Sequence, residues 1–256
     1  MFNNYNANLK RYSIILYVLF LLIYFSCKTE VTNLPYQPVQ NMQTDSAMVV
    51  TAHPLASDVG IEILKKGGNA VDAAVATQFA LAVVCPRAGN IGGGGFMVIR
   101  MADGTKDALD FREKAPLAAD RDMYLDSLDN PIGTWSREGH LSVGVPGTVA
   151  GMVAAVEKYG QLNNWKTLLE PAIRLAEQGF PITQSEADRL HKYRSDFVRL
   201  NENATPFVKS TTWKKGESLT QHSLAATLRR IQKDGADGFY KGKTADLLVA
   251  EMQRGS

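Results

Sequence analysis

From Val71 to Val84 the chain reads "VDAAVATQFALAVV", and nearly every position is small or apolar. A helix that is apolar all round has no face to offer to water, so this segment belongs inside the molecule with other elements around it. Its many alanines let neighbouring backbones approach closely. Asn69 stands three residues before Asp72, an N-cap pattern that marks where the helix starts. An earlier helix precedes it. Pro54 suits a first turn, and Leu55, Val59 and Ile63 recur at i, i+4 and i+8 as one apolar stripe. Lys65 and Lys66 suit the negative end of the helix dipole, and Gly67-Gly68 tolerate the left-handed cap that ends it. Ahead of it, "MVVTAHP" (Met48 to Pro54) begins as a β-rich run.

Behind the apolar helix comes "CPRAGNIGGGGFMVIR", with glycine at 92–95. A P-loop needs Lys-Ser/Thr after its last glycine, and here Phe96-Met97 follows. A dinucleotide fingerprint needs a strand before the glycines and a helix after them, and this order is reversed. With Ile91 and Phe96 flanking the run, the segment is expected to be a buried turn where side chains would block close backbone approach. "FMVIRMADGTKDALDFRE" then reads as a hairpin: a strand from Phe96 to Met101, a turn at Asp103-Gly104, and a returning strand from Lys106 to Arg112. A Gly/Pro loop leads to a third buried helix over 148–159. Helical patterns follow over 165–177, 186–198, 222–233 and 244–254. The fold class is therefore α/β (α+β), with a few strands in the first half and a second half that is mostly helix.

The N-terminus carries a different signal. Lys10 and Arg11 precede the uncharged apolar run Ile14–Phe25, twelve residues long. A bilayer span needs about 20 residues, whereas a secretory signal needs a shorter apolar stretch. The run ends at Ser26-Cys27, which resembles a bacterial lipoprotein signal with Cys27 as the lipidated residue; an uncleaved anchor is the other reading. Either one predicts export to the periplasm or cell envelope. The expected organisation is a signal segment at 1–27, a polar tether at 28–46, and a folded domain at 47–256. With only Cys27 and Cys85 in the chain, no disulfide framework is expected. Cys85 reads as a small buried hydrophobe. A net charge of +2 with no basic bank excludes nucleic acid as the expected partner.

Candidates for chemistry are few. His53, His140, His191 and His222 are far apart, with no metal-ligand spacing among them, so each reads as a surface or satisfied core residue. No G-x-S-x-G elbow is present. Asn203-Ala-Thr205 is a glycosylation sequon, read as coincidental in a bacterial-looking lipoprotein. In "ALDFREKAP", strand alternation puts Leu109 and Phe111 on one face and Asp110 and Arg112 on the other. An arginine there can clamp a carboxylate through two parallel hydrogen bonds. Spacing alone points instead to an ion pair of Arg112 with Asp110 or Glu113.

Taken together, "HPLASDVGIEILKKGGNAVDAAVA", "PRAGNIGGGGFMVIR", "LDFREKAP", "VPGTVAGM" and "GFYKG" resemble the large-subunit region of the γ-glutamyltranspeptidase (γ-glutamyltransferase) family, over about Val49 to Arg254. The resemblance implies the N-terminal-nucleophile hydrolase fold, an αββα sandwich of two stacked sheets between helical layers. It implies a precursor that cuts itself into large and small subunits, the new N-terminal Thr of the small subunit serving as nucleophile and, through its α-amine, as its own base. That Thr would attack the γ-glutamyl amide of glutathione or a related compound, and water, an amino acid or a peptide would resolve the acyl-enzyme. No metal or organic cofactor is implied. By the same resemblance, Arg112 grips the α-carboxylate of the γ-glutamyl group, against what spacing suggests. The expected Thr-Thr-His segment is not in the chain, where Thr211-Thr212 precede Trp213. The expectation is thus an N-terminal fragment, inactive by itself, lacking its small subunit and exposing apolar surface meant for absent strands. Two alternatives share these motifs: a glutaryl or cephalosporin acylase, and a non-catalytic γ-glutamyl-binding envelope lipoprotein.

Overall fold

The structure, a computed structural model, describes residues 43–202 and 205–255. The signal segment with Cys27, nearly all of the tether, and Asn203 of the sequon lie outside the described residues. Residues 46–256 make one compact unit.

Helix α1 (Pro54–Lys65) opens with Pro54 in its first turn, and its N-cap is His53, whose Nδ1 accepts from the Leu55 N–H at 3.2 Å. Gly67 takes φ +88° just past its end, the left-handed geometry that the paired glycines foretell. Helix α2 (Ala70–Val84) starts at a capping box: Asn69 Oδ1 accepts from the Val71 and Asp72 N–H groups, and Asp72 Oδ2 accepts from the Asn69 N–H. Helix α2 is buried except along one stripe, where Ala70 and Ala74 are exposed and Gln78 and Leu81 half-buried, so the all-round burial expected from its composition holds on its other faces only. Val75, Phe79 and Val83 are wholly enclosed, and each contributes about 1.5–3 kcal/mol by leaving water.

Around α2 pack α1, α3 (Thr148–Tyr159) and α4 (Trp165–Gln178). Helix α7 (His222–Asp234) lies against α4, and the short α8 (Asp237–Tyr240) links it to α9 (Gly242–Arg254). The core is continuous from Ile63 and Phe79 through Met152, Leu168 and Ile173 to Leu228 and Ile231. Asp72, fully buried, ties α2 to the loop after α3: its Oδ2 also accepts from the N–H groups of Gln161 (2.9 Å) and Leu162 (3.2 Å), while Asn69 Nδ2 donates to the Tyr159 carbonyl at 2.6 Å. "GGNAVD" thus serves as a structural splice between two helices.

The hairpin forms in the expected register. Strands β1 (Phe96–Arg100) and β2 (Lys106–Asp110) pair antiparallel, Phe96 opposite Asp110 and Val98 opposite Ala108. Gly104 has φ +90°, and Asp103 Oδ1 accepts from the Thr105 N–H at 2.8 Å, which is the turn chemistry read from Asp-Gly. The inner face carries Met97, Ile99, Leu109 and Phe111 toward the core. On the outer face Phe96 is 64% and Val98 86% exposed.

Three expectations shift. The strand ends at Asp110 rather than Arg112, because beyond Phe111 the partner chain is already turning through the glycines. The β-rich run at Met48 forms no strand, since no neighbouring strand among the described residues offers it a ladder. The helical pattern over 186–198 is two helices, α5 (Gln184–Lys192) and α6 (Arg194–Leu200), broken at Tyr193 (φ −97°, ψ 8°); Phe197 of the second then meets Phe207 at 5.3 Å between ring centroids. A short ribbon of β3 (Phe180–Pro181) and β4 (Ser218–Leu219) completes the unit. Sheet among the described residues is confined to two-stranded ribbons, so the two stacked sheets of the expected sandwich are not formed by them.

Candidate functional site

Immediately after β2 the backbone runs through a slot walled by glycines. Phe111 still pairs with Gly95, its N–H donating to the Gly95 carbonyl at 3.0 Å. A Cβ on Gly94 would stand 2.5 Å from the Phe111 carbonyl oxygen and 2.7 Å from the Arg112 Cα. A Cβ on Gly147 would stand 2.1 Å from that same oxygen, and one on Gly151 2.2 Å from the Phe111 ring. None of these three glycines has positive φ, so each is there for room and not for backbone freedom. The glycine run is therefore a half-buried turn rather than a fully buried one, with Gly92 exposed and open space around its α-carbon.

Hydrogen bonds lock the slot from behind. The Gly93 carbonyl accepts from the N–H groups of Gly147 (2.7 Å) and Thr148 (3.0 Å), filling the need for acceptors at the N-terminus of α3. Asn90 Oδ1 accepts from the Gly93 N–H at 2.9 Å and from Thr148 Oγ1 at 2.7 Å. The Asn90 carbonyl accepts from Gln78 Nε2 of α2 at 3.1 Å. On the far side the Tyr240 hydroxyl donates to the Pro146 carbonyl at 2.9 Å and accepts from the Ala150 N–H at 3.1 Å. Burial pushes the Tyr240 phenol up from its usual pKa. The segments "GNIGGGGF", "LDFREK", "VPGTVAG" and "GFYKG" thus meet at one place, and what they jointly fix is the backbone of Phe111 and Arg112.

The other end of the hairpin is pinned to α3 by charge. Asp107 accepts from Lys158 Nζ at 2.6 Å and from the Tyr159 hydroxyl. These two bonds hold the Asp107 carboxyl at about 2 and raise the Lys158 ammonium.

Arg112 itself is held by its backbone and left loose at its head. Its N–H donates to Asp110 Oδ1 at 3.0 Å. Its side chain is 66% exposed, with Nε 3.7 Å from Glu113 Oε2 and Cζ 5.9 Å from the centroid of the Phe96 ring. Among the described residues no hydrogen bond engages the guanidinium. The ion pair suggested by spacing exists, but it is long and solvent-exposed, the kind worth 0–1 kcal/mol. The fork remains open for a carboxylate, and a charge-assisted contact of that type is worth about 1.5–3 kcal/mol.

The remaining candidates lie elsewhere. His53 is buried, with Nε2 3.3 Å from Glu186 Oε1, and it lines a 560 Å³ cavity with Cys85, Phe180, Phe197 and Leu219. That cavity takes in none of the residues around the slot. His140 pairs with Glu251 at 2.9 Å, and His191 and His222 are exposed. Among the described residues no group of His, Cys, Asp or Glu could hold a metal ion. Cys85 is buried, as its apolar setting implies. Asn90, Thr148 and Tyr240 do not stand out in the sequence: they lie 58 and 90 or more positions from their partners, and no local spacing reports such bonds.

Comparison with known proteins gives the following. The family model for gamma-glutamyltranspeptidase matches residues 56–256. The glutathione hydrolase proenzyme of Pseudomonas sp. (strain A14) is 55% identical over 213 residues, covering 82% of this chain and 37% of its own length. The crystal structure of Helicobacter pylori gamma-glutamyltranspeptidase superposes with a TM-score of 0.80 at 46% identity, over 85% of this chain and 62% of that one. Cephalosporin acylase from Bacillus halodurans superposes at 0.68 with 27% identity, over 86% of this chain and 43% of that one. This chain spans little more than a third of the length of the curated relative.

Proposed function

Because this chain belongs to the gamma-glutamyltranspeptidase family, with its N-terminal-nucleophile hydrolase fold, we propose that it is the N-terminal part of a γ-glutamyltransferase and glutathione hydrolase. The substrate is glutathione or another γ-glutamyl compound, and Arg112 binds its α-carboxylate. The carrying observation is the open, solvent-facing guanidinium of Arg112 on a backbone fixed by Gly94, Gly147 and Gly151. Rigid backbone with an unengaged fork is what orientation of a substrate carboxylate calls for.

The nucleophile is the N-terminal Thr of the small subunit of the same precursor. Its hydroxyl adds to the γ-carbonyl while its α-amine takes the proton. Collapse of the tetrahedral intermediate breaks the C–N bond, releases the amine product and leaves an ester. Water hydrolyses that ester, or the amine of an amino acid or peptide displaces it. Arg112 contributes by holding the far end of the acyl group, so that the γ-carbonyl sits at the nucleophile.

The test uses the complete enzyme and γ-glutamyl p-nitroanilide. Arg112→Lys keeps the charge and loses the fork, and kcat/KM should fall about 10- to 100-fold, the rate equivalent of a lost charge-assisted bidentate contact. Unchanged kinetics would remove Arg112 from the site. The likeness to the cephalosporin acylase favours a second reading, in which a glutaryl amide is the better donor. Glutaryl p-nitroanilide in the same assay separates the two, since only the γ-glutamyl donor carries an α-amine.

The protein is exported and lipid-anchored at Cys27, on the reading of its N-terminal segment. Cells fed labelled palmitate should label the precursor, and Cys27→Ser should abolish the label and release the protein from membranes. Labelling that survives the substitution would refute the anchor.

A further inference from the structure

We infer that Asn90 is a positioning residue for γ-glutamyl donors, acting through Arg112; this rests on the reading of Arg112 given above. No hydrogen bond joins Asn90 to Arg112. Its single side-chain oxygen accepts two hydrogen bonds from segments far apart in the chain, Gly93 N–H at 2.9 Å and Thr148 Oγ1 at 2.7 Å. Those are the two walls of the slot through which Phe111 and Arg112 pass. Gly93 is followed by Gly94, whose α-carbon has no room for a Cβ against the Arg112 Cα and the Phe111 carbonyl. Thr148, fully buried, follows Gly147, which lies as tightly against that carbonyl from the other side. The two walls also bond to each other through the Gly93 carbonyl.

Asn90 is itself fixed from below by Gln78 Nε2 on the buried helix α2, at 3.1 Å. The link from core to substrate arginine is therefore short and continuous: α2, Asn90, the paired walls, then the backbone of Arg112. Remove the carboxamide and both walls remain, joined only by backbone. The slot widens, and the guanidinium samples orientations that do not match a carboxylate. Such looseness weakens the hold on the donor rather than the bond-breaking step.

The experiment uses the complete, self-processed enzyme, with rates expressed per processed molecule. Two donors are compared: γ-glutamyl p-nitroanilide, and 4-aminobutanoyl p-nitroanilide, which lacks the α-carboxylate. Asn90→Ala should raise KM for the first about tenfold, the equivalent of one lost hydrogen bond, with kcat within about threefold. It should leave kcat/KM for the second donor unchanged. In an Arg112→Ala background it should have no further effect on either donor. Thr148→Val, which keeps the side chain's volume and deletes the hydroxyl, should reproduce the Asn90→Ala profile, and Thr148→Ser should restore the wild-type one. These Thr148 variants decide the matter if Asn90→Ala fails to fold. Equal losses on both donors, or an Asn90→Ala loss that simply adds to that of Arg112→Ala, would overturn the inference and leave Asn90 with a purely structural role. Arg112→Ala alone reports on the underlying reading: if its KM for γ-glutamyl p-nitroanilide is normal, that reading has failed, whatever Asn90 does.

Discussion

At the scale of single residues, four adjacent glycines have four different surroundings. An added Cβ meets nothing at Gly92, the Asn90 carboxamide at Gly93, backbone at Gly94 and the Phe111 ring at Gly95. Backbone cannot swing aside as a side chain can. Gly94→Ala should therefore destabilise the complete protein by about 1–3 kcal/mol, the usual cost of overpacking. Gly92→Ala, with open space and ordinary φ, should fall between neutral and about 1 kcal/mol stabilising, because it restricts the unfolded chain. Urea denaturation monitored by Trp fluorescence measures both. Equal effects at the two positions would mean that the slot is not as tight as its geometry indicates. Arg112 belongs to this scale too, since the role proposed for it depends on how little holds its head group.

The elements that matter most are the hairpin and α3, joined at both ends. The glycine slot makes one joint and Asp107 the other, with Lys158 and Tyr159. The second joint is sensitive to pH. Asp107 is held at about 2 in the folded protein, below its range in an unfolded chain, so the folded state binds fewer protons there. Its contribution is complete above about pH 4 and is lost as pH falls toward 2. Hydrogen exchange, corrected for intrinsic rates, should show the Ile99 and Leu109 amides, which fall in the hydrogen-bonded pairs of the ladder, losing protection over that interval faster than those of α2. Lys158→Met should flatten the difference, and a variant retaining the wild-type profile would place the acid sensitivity elsewhere.

Across the whole molecule, what could be read in the sequence was what depends on local period and composition. An apolar run such as 71–84 has one stable place, and Asp103-Gly104 between alternating strands has one stable turn. Both stand where they were expected. What depends on distant partners was not readable. The segment from Met48 to Thr51 has strand composition but no strand beside it among the described residues. The break at Tyr193 lies inside a pattern that is helical on both sides. The role proposed for Arg112 comes only from its neighbours' match to a family; its own spacing favours the weak pair with Glu113, which is the contact the structure holds. Asn90, which bridges the walls of the slot, looks like any loop asparagine until Thr148 is placed beside it.

The outer face of the hairpin has a consequence for the hold on substrate. Phe96 and Val98 point away from the core, and the Arg112 guanidinium lies over the Phe96 ring, on that same face. Any polypeptide that settles on Phe96 also strips water from the guanidinium. Attraction between that cation and a carboxylate grows as the surrounding dielectric falls. On the role proposed for Arg112, burial of the hairpin and the strength of the grip on a γ-glutamyl donor are one thermodynamic quantity seen from two sides: a donor that binds helps to seat the covering chain, and a covering chain that seats tightens the donor.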